Sequence, residues 1–108
     1  MQITLEELHS LVEAKKTSAN TSEPFKIGSN YFIRTVTHHH TGRLVAVFPG
    51  ELVLEDAAWI ADDGRFADAI QSCEFAEIEP FPKGKRVIIG RASIIDAIEI
   101  DRIPTSQK

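Results

Sequence analysis

The sequence predicts a mainly β domain with added helix, an α+β arrangement in which a small β-barrel carries an N-terminal helix and an inserted short helix. Three observations predict it. The stretch from Tyr31 to Ala58, YFIRTVTHHHTGRLVAVFPGELVLEDAA, is rich in β-branched and aromatic residues, with Thr41-Gly42 and Pro49-Gly50 as candidate reversals. Its apolar residues are mixed rather than cleanly alternating, the pattern of strands covered on both faces for part of their length, which suits a small closed barrel. The period then turns helical in AAWIADDGRFADAIQS before β-rich segments resume.

Thr4 and Glu7 have capping-box spacing, and Ile3 with Leu8 fits a hydrophobic staple, so a helix is expected from Leu5 to about Lys16. Leu8, Leu11 and Val12 line its apolar face, and it is expected to cap the sheet. Residues 17–24, TSANTSEP, form a polar linker. The barrel then covers 25–103. Phe25 to Ile27 is a candidate edge strand, and Ser29-Asn30 a turn before the long strand at Tyr31. Leu52 to Leu54 continues the sheet. Phe66, Ala69 and Ile70 stand at i, i+3 and i+4, which places a helix near 62–72 with Asp62 or Asp63 as its cap. Glu74 to Glu79 returns to strand, PFPKGK turns, and Arg86 to Ile89 is a strand. Ser93 to Ile103 fits either period; its isoleucine content favours strand.

The 108 residues suit one domain. No apolar run approaches the roughly 20 residues of a membrane span, and MQITLEEL is acidic where a signal peptide is basic, so no membrane partner and a cytoplasmic location are expected. The single cysteine, Cys73, permits no internal disulfide and reads as a structural thiol. A formal charge of -4 argues against a general nucleic-acid coat while leaving room for a local basic site.

At GRLVAVFPGELVLEDA and RVIIGRASIIDAIEI the chain resembles the two signature segments of Sm-like proteins, a small SH3-like β-barrel architecture. Gly42, Arg43, Leu44 and Val45, then Leu52 to Ala57, stand in the first segment; Ile88 to Ile94 resembles the second with Gly90 and Arg91 in inverted order. The resemblance implies a barrel of five strongly bent strands after a helix, and a ring-forming homo-oligomer. Phe48, Pro49, Gly50 and Glu51 stand where such proteins place the Asp and Asn of a uridine site, and the connection from Ala58 to Phe81 is longer than theirs. YFIRTVT, GRLV and LVLEDAAWIADDGRFADAI are also similar to a group of small proteins of tailed phages and prophages, which implies a viral accessory or virion protein.

Lys83, Lys85, Arg86 and Arg91 lie without an acidic neighbour between Pro80 and Ser93. They suit a phosphate, with Arg34 and Arg43 reaching the same anion from strands and Phe48 or Tyr31 stacking on a base. A solvated basic turn is the simpler reading of any one of them. Glu51 to Glu79 contains nine acids and one base, Arg65, and opposite charges on separate faces suit head-to-tail subunit contacts. His38 and His40, two apart on a strand, share a face as two ligands of a metal would, but no third ligand is spaced to join them, so no metal or other cofactor is expected. Trp59 suits the core or a subunit interface. Asp62-Asp63-Gly64 is too short for a calcium loop, and no catalytic spacing is recognisable.

The expected function is therefore that of a non-enzymatic, phage-derived, oligomeric binding protein. It would engage a nucleic acid or nucleotide-like ligand, or a host protein, in an accessory or anti-defence role. A virion structural or assembly protein acting only through protein contacts is the alternative.

Overall fold

The computed structural model describes residues 23–108. The helix expected over 1–16 and most of the 17–24 linker lie outside the described residues. The elements are β1 (Asn30–Thr35), β2 (His39–Val47), β3 (Glu51–Asp62), α1 (Phe66–Ser72), β4 (Glu77–Pro80), β5 (Val87–Gly90) and β6 (Ile94–Glu99). A single 3-10 turn, Arg91–Ser93, joins the last two strands. All strand pairs are antiparallel. The order across the sheet is β4-β3-β2-β1-β6, and β5 pairs with the first half of β3.

The sheet is open, which corrects the barrel expectation. Closure needs β6 to pair with β4 or β5, and neither pair forms among the described residues. β6 is instead sent across to β1, and the outer side of β4 is met by a two-way backbone pair between Ile78 and Lys108, at 2.9 and 3.0 Å. The apolar pattern misled for a physical reason. A sheet covered on both faces buries alternate residues in two separate cores, and in sequence that reads like strands of a barrel.

The first core joins Tyr31, Ile33, Leu44, Leu52, Leu54, Ala57 and Ile89. The second, on the opposite face, joins Phe32, Ala58 and Ile60 with Ala69 of α1, Phe75, Ile78 and Ile100. Tyr31 and Ile33 alternate with Phe32 between them, as strand geometry requires. β3 breaks that alternation, since Leu52, Leu54 and Ala57 serve the first core but Ala58 and Ile60 the second. Thr41 pairs with Ala58 and Arg43 with Glu55, so two steps on β2 meet three on β3. This is a β-bulge, and Asp56, in the left-handed conformation at φ 50°, marks it.

The β2–β3 reversal falls at Pro49-Gly50 as expected, closed by Phe48 N–H donating to the Glu51 carbonyl at 2.9 Å. Thr41-Gly42 is not a turn. Both residues lie inside β2, and β1 reverses earlier, at Val36–His38. Gly42 is there because a Cβ would stand 2.9 Å from Leu54 Cβ and 3.2 Å from Ala57 Cβ, the residues flanking the bulge. Residues 25–27 form no strand. α1 starts after Arg65 with no side-chain cap; Asp62 instead accepts the Gly64 N–H at 2.9 Å. Ile94–Glu99 is strand, in agreement with its composition. No helix among the described residues is long and apolar enough to cross a membrane.

Gly42→Ala is predicted to destabilise the domain by about 1–3 kcal/mol, the usual penalty for overpacking a rigid core. A urea unfolding midpoint equal to that of the wild type would show that the two strands do not approach this closely.

Candidate ligand groove

The register of the sheet sets one row of side chains on the face of the first core. Ile33 lies opposite His40, His40 opposite Trp59, and Trp59 opposite Glu79. Directly opposed residues of antiparallel strands share a face, so the row crosses β1, β2, β3 and β4. Its exposure grows outward: Ile33 is fully buried, His40 half-buried, Trp59 40% exposed and Glu79 exposed.

His38 joins the row from the β1–β2 turn, which Thr35 holds closed. Thr35 Oγ1 donates to the His38 carbonyl at 2.6 Å and accepts the His38 N–H at 3.0 Å. Four rings then follow one another, with centroids 6.0 Å apart from Trp59 to His38, 6.3 Å from His38 to His40, and 6.1 Å from His40 to Phe81. His40 and Phe81 are nearly parallel, at 24°. Together with Glu79, Pro80 and Pro82 they line an open groove of about 620 Å³. Pro80 and Phe81 also wall a second hollow of about 350 Å³, shared with Asp56, Ala57, Lys83, Pro104 and Thr105.

His39 points the other way, as strand alternation requires, with Nδ1 2.9 Å from both oxygens of Asp63. His40 Nδ1 is buried and has no hydrogen-bond partner among the described residues. Burial, then the neighbouring His38 and His39, push the His40 pKa below its ordinary 6.5. No group of three or more His, Cys, Asp or Glu side chains that could hold a metal occurs among the described residues.

Of the arginines proposed for an anion, Arg43 and Arg86 meet at one carboxylate, Glu55, while Arg34 and Arg91 pair with carboxylates elsewhere. Arg34 makes a bidentate contact with Asp96 on β6 and lies 4.7 Å above the Phe66 ring. The Arg34 contact, above all, holds the Asp96 carboxyl below its usual range. Arg43 reaches Asp56 at 2.6 Å and Glu55 at 3.3 Å, and Arg86 reaches the other oxygen of Glu55 at 3.2 Å. Arg91 binds Glu23 at 2.8 Å and donates to the Phe48 carbonyl at 3.0 Å, which brings together Arg91 and Phe48 of the predicted set. Lys83 and Lys85 are exposed and have no carboxylate partner among the described residues.

The sequence reading missed Phe81 and Glu79 as groove residues and the carboxylates that meet the arginines. Glu55 and Asp56 sat in the acidic run read as a separate face, yet they contact Arg43 and Arg86. Trp59 is neither core nor a demonstrated interface; it forms the groove wall. Comparison with protein-family models, with curated proteins and with solved structures returned no match.

The depressed His40 pKa has a definite sign. The fold favours the neutral imidazole, so this contribution to stability is complete above pH 6.5 and is lost as pH falls through 6.5 toward the lower folded value. Wild type should therefore lose more thermal stability than His40→Phe between pH 7.5 and 5.5. Parallel curves for the two proteins would place the acid sensitivity elsewhere.

Proposed function

We propose that the domain is a non-enzymatic binding module and that the groove walled by His38, His40, Trp59 and Phe81 receives its ligand. One observation carries the reading: a large ring, Trp59, stands 40% exposed in a concave site lined mainly by rings and prolines. Ligand sites are characteristically apolar hollows of roughly 300–1,000 Å³ with a few polar groups, and this groove matches that description. The arginines support a structural role, since each is already matched by a carboxylate that tethers two segments.

The test uses native mass spectrometry of wild type and Trp59→Ala, purified side by side from the same cells. A retained mass present in wild type and absent from a folded Trp59→Ala, checked by circular dichroism, is the expected result. Equal retention by both proteins would remove the groove from the reading.

A second reading, a nucleotide or single-stranded nucleic acid, is favoured by Lys83 and Lys85. They follow directly on Phe81 and Pro82, so a base stacked on Trp59 or Phe81 would leave its phosphate near the lysine loop. Lys83→Ala/Lys85→Ala is then expected to weaken binding of a short oligothymidylate and to flatten its salt dependence. Binding that ignores both lysines would exclude this reading.

A further inference from the structure

The groove's lining has a definite electrostatic character. It contains two imidazoles, an indole, a phenyl ring, two prolines and one carboxylate, Glu79, and no lysine or arginine. Aromatic faces carry negative potential, and indole is the strongest of them toward a cation. Glu79 sits directly opposite Trp59 in the β3–β4 register, so the one carboxylate of the lining lies beside its best cation-binding ring. Within the chain, the same chemistry already operates twice, where Arg34 lies over Phe66 at 4.7 Å and Arg91 over Phe25 at 5.3 Å. At Trp59 no cation of the chain fills the corresponding place among the described residues.

We infer that the groove recognises an alkylammonium group, presented as a lysine-type side chain on a partner polypeptide. This rests on the groove being the ligand site. Charge complementarity selects the head group: Glu79 repels phosphate or carboxylate and attracts an ammonium, while the rings replace its water without needing hydrogen bonds. The dimensions select the source. At about 620 Å³ and open to solvent, the groove exceeds what a small free cation fills, and Pro80 and Pro82 extend the apolar wall for the stem and flanking residues.

Trp59 is the only tryptophan, so its fluorescence reports the site without labelling. The probes are choline, its neutral isostere 3,3-dimethylbutanol, a lysine-containing pentapeptide and the same peptide with norleucine. The expected result is a saturable Trp59 response to choline but not to the isostere, with the lysine peptide binding more tightly than choline and the norleucine peptide not binding. Glu79→Gln should weaken the lysine peptide roughly five- to thirtyfold, the factor equivalent to about 1–2 kcal/mol. Because Glu79 is exposed, this variant is expected to keep the wild-type unfolding midpoint.

Equal binding of charged and neutral probes would overturn the inference while leaving the groove as a site. Choline binding with no gain from the peptide would overturn the polypeptide partner. No response to any probe, in a protein whose retained mass is still lost with Trp59→Ala, would overturn the ligand class alone.

Discussion

Arg43 clasps the bulge of β3. Its guanidinium spans Asp56 and Glu55, the two residues where β3 steps out of register, and Asp56 holds a left-handed backbone that only a few side chains tolerate. Much of the rest depends on that single extra residue. Before it, Leu52 and Leu54 fill the first core; after it, Ala58 and Ile60 fill the second, and Trp59 emerges on the face of His40. Without the extra residue a period of two would turn Trp59 to the opposite face and Ala58 toward the histidines. Arg86 adds a second cation to Glu55 and ties the β4–β5 connection to the same point.

Such exposed pairs contribute little free energy individually, about 0–1 kcal/mol. Their contribution here is geometric. The bulge is fixed from three sides: by Arg43, by the close approach of Gly42 to Leu54 and Ala57, and by Phe81, whose N–H donates to the Ala57 carbonyl at 2.9 Å. The last contact also delivers the Phe81 ring to His40. The irregularity in the sheet and the groove are thus one construction, in keeping with the tendency of bulges to re-aim side chains near sites.

The strands were legible because β-branched runs and the Pro49-Gly50 reversal are local signals, and α1 because Ala69 and its neighbours carry helical period. Topology was not. Whether β6 pairs with β1 or closes on β5 depends on contacts more than 60 residues apart, such as Arg34 with Asp96, and no local pattern encodes them. Gly42 read as a turn because glycine signals a flexible backbone and a close packing approach with the same letter. The basic cluster read as an anion site because Glu55, Asp56 and Glu23 are distant in sequence from the arginines they meet. The alternation of His38, His39 and His40 was legible, whereas the addition of Phe81 and Glu79 required the β3–β4 register.

The Asp56 bulge turns Trp59 onto the histidine face. Nuclear Overhauser contacts from the Trp59 indole protons decide it most directly, since one resonance set serves the sole tryptophan. Contacts to the imidazole protons of His38 and His40 are the expected result. Contacts from the indole to Phe32 and Phe75, which lie in the opposite core, would contradict it.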